Sequence, residues 1–167
     1  ERLPEGKVLD AGELAAMAAA DAPPNDFWAA LVAGCLAKKD PTWAKRVLDA
    51  WETWQPDEPM LAYMRGVYWL WMNEFERNIQ RRREFLERAQ QDFEQALAKQ
   101  PRHEQARFAL AGLLEDQCQL EEAAGLAAAA PPSEVAAVNM ARLLRESDRL
   151  DEARRVLAAL ESAGLSL

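Results

Sequence analysis

The stretch Trp28-Ala29-Ala30-Leu31-Val32-Ala33-Gly34-Cys35, followed by Ala44-Lys45-Arg46-Val47-Leu48 and then Trp51 and Pro56, decides the fold because its pattern returns. It returns as Ala62-x-x-Arg65-Gly66-x-x-Trp69, with Ala89-x-x-x-Phe93, Ala96 and Pro101. A third copy reads Arg107-x-x-Leu110-Ala111-x-x-Leu114 with Ala123-x-x-x-Ala127, and a fourth Ala137-x-x-Met140-Ala141-x-x-Leu144 with Ala153-x-x-x-Leu157 and Leu160. Apolar residues three and four apart mark one face of a helix, and almost no run alternates as a strand would, so the chain reads as all-α. Breaks fall at Pro23-Pro24, Lys39-Asp40-Pro41, Gln55 to Pro59, Lys99-Gln100-Pro101, Pro131-Pro132 and Glu146-Ser147-Asp148. Proline cannot continue a helix and restricts the residue before it, so most of these are helix boundaries.

The spacing is regular. Val32 to Gly66 and Ala89 to Ala123 are each 34 residues. Gly66 to Ala111 and Ala44 to Ala89 are each 45, which places 11 extra residues between Gly66 and Ala89. Ala111 to Ala141 and Ala123 to Ala153 are each 30, a deletion that the early Pro131-Pro132 explains by stopping a helix one turn short.

These segments resemble the tetratricopeptide repeat, a 34-residue pair of helices. The resemblance implies a right-handed all-α solenoid of about four helix-turn-helix units in a single domain spanning 1–167. The units are assigned to 25–58, 59–103, 104–133 and 134–167, with residues 10–20 as the second helix of a partial preceding unit. Departures from the pattern are Arg65 for Leu, Cys35 and Leu114 for aromatics, and the small Ala127 where a ring is usual. They make the third unit the least well packed. Small residues such as Gly66, Ala111 and Ala141 let paired helices approach, and stability comes from stacking of units.

The 167 residues are half apolar and carry a net charge of −8, which opposes general binding to nucleic acid or anionic membrane. No apolar run approaches the ~20 residues of a membrane span, and no charged-apolar-small segment resembles a secretion signal. The chain begins at Glu1 and ends after Leu167 as an excised piece of a longer protein would, and a cytoplasmic setting is favoured. Cys35 and Cys118 fall on packing positions and read as inert buried thiols, and His103 reads as a surface residue after Pro101. No phosphate loop, nucleophile elbow or pair of metal-ligating histidines occurs, so no catalytic residue, cofactor or metal is expected. Glu121-Glu122 and Asp151-Glu152 read as helix starts, where negative charge suits the dipole.

The 11-residue insertion is three helical turns, and lengthening one helix alone would part the ends of the pair by ~16 Å. Both helices must lengthen. The expected hairpin turns near Arg77-Asn78, with Asn78 capping the returning helix and an apolar seam through Ile79, Leu86, Ala89, Phe93 and Ala96 or Leu97. Its tip carries Arg77, Arg81, Arg82 and Arg83 near Phe75 and Phe85, in the one unit where basic residues outnumber acidic ones. Two readings stand: a solvated helix paired with Glu74, Glu76, Glu84 and Glu87, or a docking arm over 74–88 for an acidic partner, acidic lipid or second copy.

The resemblance further implies a concave groove lined by first helices. Its partner-binding residues would be Met60, Tyr63, Met64, Val67 and Trp71, then Phe108, then Val138, Asn139 and Arg142. Leu36, Leu70 and Gly112 belong to the same set, and for Tyr63 and Trp71 a core role is the competing reading. Adaptable thioethers and aromatic anchors suit an apolar ligand. Family members that clamp a chaperone's terminal carboxylate use Lys and Asn where Ala29, Ala30 and Ala33 stand here, which disfavours that ligand. The expected function is a non-catalytic protein-interaction module for an apolar peptide or helix. Self-assembly within a larger repeat protein is the alternative, and recognition of single-stranded RNA the weaker one. Of the six tryptophans, all at or before position 71, Trp28, Trp51 and Trp69 fall on repeat positions and Trp71 is the candidate for exposed function.

Overall fold

The computed structural model describes residues 24–128 and, beyond them, 150–152, 154, 155 and 158. Six helices occupy the continuous stretch: α1 (Asn25–Ala37), α2 (Pro41–Trp54), α3 (Pro59–Phe75), α4 (Ile79–Lys99), α5 (Glu104–Asp116) and α6 (Leu120–Ala128). They are the expected pairs, and no strand occurs among the described residues. The proposed helix at 10–20, Pro131-Pro132 and most of the fourth unit lie outside the described residues.

Prolines set the starts. Pro41 and Pro59 occupy the first turns of α2 and α3, where a missing N–H is harmless. The Asp40 carboxylate accepts from the Trp43 backbone N–H at 3.0 Å and caps α2. The ends are equally specific. Lys39 (φ 57°) and Cys118 (φ 62°) are left-handed residues just past α1 and α5. At the first, Asp40 N–H donates to the Cys35 carbonyl and Lys39 N–H to Leu36, both at 2.9 Å. At the second, Gln119 N–H donates to Leu114 and Cys118 N–H to Glu115, both at 2.8 Å. These are Schellman closures at equivalent repeat positions. Cys118 is therefore exposed in a turn, not buried as its spacing suggested, because the helix ends before it. A left-handed non-glycine residue costs ~1–2 kcal/mol, part of which a glycine returns as unfolded-state entropy. Cys118→Gly is expected to raise stability by about 0.5–1 kcal/mol in a urea titration, and a loss would refute the strain.

The insertion divides unequally. α1, α3 and α5 begin at equivalent positions, but α3 runs four residues past the point where α1 and α5 stop. α4 starts seven residues earlier than α2's equivalent, so the two extensions account for all 11. Asn73 stands where Lys39 and Cys118 turn, yet it stays helical, and its side-chain oxygen accepts from Arg82 Nε at 3.3 Å.

The chain divides into two compact units, Glu1–Ala89 and Gln90–Leu167. In the first, α1 packs on α2 and both on α3. Its core is Trp28, Val32, Leu36, Ala44, Val47, Leu48, Trp51, Leu61, Met64 and Tyr68. Trp28 and Trp51 stack at 6.2 Å with their planes 13° apart. Arg65, the departure from Leu, pairs with Glu52 of α2 at 2.7 Å, which explains why an arginine is tolerated there. In the second, α5 packs on the small face of α6, and Ala106, Leu110, Ala111, Leu113, Leu114, Ala123, Ala124 and Ala127 are buried.

Candidate functional site

α3 is apolar nearly all round, the pattern of a helix packed on several sides. Of its expected groove residues, Met60, Tyr63, Val67, Leu70 and Trp71 are half-buried and keep part of their surface open. Burial pushes the Tyr63 phenol up from its ordinary value. Met64 is corrected: it is buried in the core with Leu61 and Tyr68 and offers nothing to a ligand. Leu36 is corrected likewise, since α1's inner face needs it as a core residue beside Val32. In the second compact unit Phe108 is half-buried on α5, and Gly112 leaves open space where a Cβ would stand. Val138, Asn139 and Arg142 lie outside the described residues.

Trp71 does not stand alone. Its ring meets Phe75 one turn on at 4.5 Å. With Met72, Glu76, Lys39 and Pro41 these two rings line a cleft of about 330 Å³. Met72 and Phe75 belong to the extra turn of α3, so the insertion makes this cleft, over the α1–α2 loop. Spacing arguments fixed the insertion's length but missed the cleft, because Lys39 and Pro41 are distant in sequence and look like ordinary loop residues.

The hairpin turn itself is built from side chains. Asn78 Oδ1 accepts from the backbone of Gln80 at 2.9 Å and Arg81 at 3.2 Å, capping α4 as expected. Glu76 Oε1 accepts from the backbone N–H of Arg77 at 2.8 Å and of Asn78 at 2.9 Å. The Asn78 amide above all, then that of Arg77 and the nearby Arg81 guanidinium, hold the Glu76 carboxyl below its ordinary range. A depressed carboxylate stabilises the turn above its unfolded pKa, and the hold is lost as pH falls through the folded value. The amide resonances of Arg77 and Asn78 should therefore titrate with a midpoint below that of an ordinary glutamate, and Glu76→Gln should abolish the transition. An ordinary midpoint would refute the clamp.

Arg77, Arg81, Arg82 and Arg83 are all exposed. Arg81 lies 3.8 Å from Glu76, and Arg83 pairs with Glu87 at 3.0 Å. The Arg77 guanidinium has no acidic partner among the described residues. Ile79, expected in α4's seam, is corrected: it is 80% exposed, because α4's first turn overhangs its neighbours. Phe75 is 56% exposed on the other side of the turn. Deeper in the hairpin, Trp69 stacks on Phe85 at 5.5 Å and Arg88 covers the indole at 4.8 Å. Ala89, Phe93 and Ala96 are buried as expected.

Cys35 is half-buried and burial pushes its thiol up, consistent with an unreactive group. His103 is corrected: it is buried, 3% exposed, and its Nδ1 accepts from Ala106 N–H at 3.3 Å as the cap of α5. Histidine is not among the strong capping residues, which is why a loop reading prevailed. Among the described residues no group of three or more His, Cys, Asp and Glu is placed to hold a metal, and no helix is long and apolar enough to cross a membrane.

No protein-family model matches the sequence, and no curated protein matches it either. Among solved structures, the chain is similar to a thermophilic TPR protein of Thermus thermophilus, at 16% identity and a TM-score of 0.68. The likeness covers 92% of this chain and 81% of that one. At that identity it is the fold that is shared: an all-α solenoid of TPR-like helix-turn-helix units.

Proposed function

We propose that the chain is a non-catalytic protein-interaction module that binds an apolar segment of a partner along its first helices. A helical-repeat fold of this kind supports protein interaction in general. The observation that carries the finer reading is α3, where Met60, Tyr63, Val67, Leu70 and Trp71 keep part of their apolar surface in water. Large apolar side chains left open together mark interaction surfaces. Selection of displayed random peptides against the chain tests this. Apolar peptides whose binding falls in Tyr63→Ala and Trp71→Ala, with helicity unchanged, are the expected result. Selected peptides indifferent to both substitutions would remove α3 from the account.

Exposed Ile79 and Phe75 beside the tip arginines favour a second reading, self-association through hairpin 74–88 of a chain that is acidic elsewhere. Light scattering across a concentration series should then show assembly that salt weakens, and a strictly monomeric chain would dismiss it.

A further inference from the structure

We propose that His103 is an acid-sensitive latch on α5. Neutral, it closes the start of the helix; protonated, it opens that start, and a partner segment held on α5 is released as pH falls. This rests on the interaction-module reading and adds a regulation to it, since α5 is the first helix of its unit and carries the candidate contact Phe108.

The geometry fixes the protonation state of the closed latch. Nδ1 of His103 accepts from the Ala106 N–H at 3.3 Å, so that nitrogen bears a lone pair and no proton while α5 is capped. A second proton would have to sit on Nδ1, where it turns the acceptor into a donor aimed at another donor. The side chain is 3% exposed, so the resulting cation gains water only by leaving its place. The backbone moves with it, because His103 N–H donates to the Gln100 carbonyl at 2.9 Å and the His103 carbonyl accepts from Arg107 N–H at 3.1 Å.

Electrostatics push the same way. The open amides of a helix start carry partial positive charge. Arg107, one turn on, is buried with its guanidinium on the Pro101 carbonyl, two residues before His103. The other charges on the surrounding elements cancel in sum: Arg102 in the loop with Glu104 at the start of α5, and Lys99 at the end of α4 with Asp92 buried on it. α6 returns antiparallel to α5, so Glu121 and Glu122 lie at the far end of the pair, and its last turn from Gly125 to Ala128 is uncharged. The balance left at the ring is the positive Arg107. An unfolded chain takes up the proton in the ordinary imidazole range near ~6.5, while the capped helix does not; stability is therefore complete above that range and is lost below it. His103 is the one histidine of the chain, so no other side chain ordinarily titrates between about pH 5 and 8.

Amide protection of Ala106 to Phe108 in the full chain, corrected for the intrinsic exchange rate at each pH, tests the latch. Opening should rise about tenfold from about pH 7 to pH 5, the effect of one group that takes up a proton on release. His103→Asn keeps a strong cap that does not titrate and should hold the change within about twofold. Asp92→Asn should leave the tenfold rise in place. Equal protection at the two pH values, or the same loss in His103→Asn, would overturn the latch. Protection that grows on acidification, with the gain lost in Asp92→Asn, would overturn it as well, since an acid would then hold the imidazolium. Release is read separately, on an apolar peptide from the selection described above: its affinity should fall several-fold over the same pH step, and not in His103→Asn. Equal affinity at both pH values would overturn release even where α5 opens. Selected peptides indifferent to Tyr63→Ala and Trp71→Ala would instead overturn the α3 surface and leave the opening of α5 as measured.

Discussion

Trp51→Ala should lower stability by about 4 kcal/mol, within the 3–5 kcal/mol typical of removing a fully buried large aromatic. The indole is wholly buried, stacked on Trp28 and surrounded by Ala44, Val47, Leu48 and Leu61 in one cluster. Its Nε1–H donates to Gln55 Oε1 at 3.0 Å, but Gln55 is half-exposed and can turn to water, so the loss is one of packing. With a urea slope of ~1–3 kcal/mol/M the midpoint of the first compact unit should fall by roughly 1.3–4 M. A shift under about 0.5 M would mean that the stack is not the centre of this core. Trp28→Phe supplies the contrast. Trp28 Nε1–H is buried with no acceptor among the described residues, so phenylalanine removes an unsatisfied donor along with some volume. The two effects oppose, and the net loss should stay below about 1.5 kcal/mol.

Trp28 and Trp51 announced themselves because the repeat spacing placed both on inward positions, and spacing is what a solenoid conserves. Arithmetic also recovered the insertion, its shared lengthening and the cap at Asn78. Face assignment within α3 was harder. A helix apolar on every side has no moment to separate core from groove, which is how Met64 was read as open and proves buried. Cys118 and His103 failed for another reason. Both belong to helix ends, where one residue's difference in boundary turns a buried position into an exposed turn or a loop residue into a cap. The cleft at Trp71 and Phe75 was out of reach altogether, since it depends on where α3's extra turn lies over a loop from the preceding repeat.

Arg107 occupies the repeat position that Trp28 holds in the first unit, 79 residues earlier. The two side chains answer the same slot by different physics. Where Trp28 stacks on Trp51, the buried residues that α6 offers are small: Ala123, Ala124 and Ala127. The buried guanidinium instead donates to the Pro101 carbonyl and, at 3.4 Å, to that of Leu126. The guanidinium thus ties the Leu126 carbonyl of α6 to Pro101 in the loop before α5. Hydrogen bonds from a charged donor are worth ~1.5–3 kcal/mol each, so Arg107→Ala should cost about 3 kcal/mol. Arg107→Lys should recover less than half of that, since an ammonium on a flexible stem is a point charge without the guanidinium's fixed fork. Arg107→Met separates charge from bulk: it keeps the volume but leaves both carbonyls without their donor, and should remain well short of the unmodified chain. Hydrogen exchange locates the effect. Protection should fall first in α6 and at the start of α5, while the α1–α2 pair keeps its own. Equal protection in α6 for Arg107→Ala and the unmodified chain, or full stability in Arg107→Met, would show that small-residue packing alone holds this helix pair together.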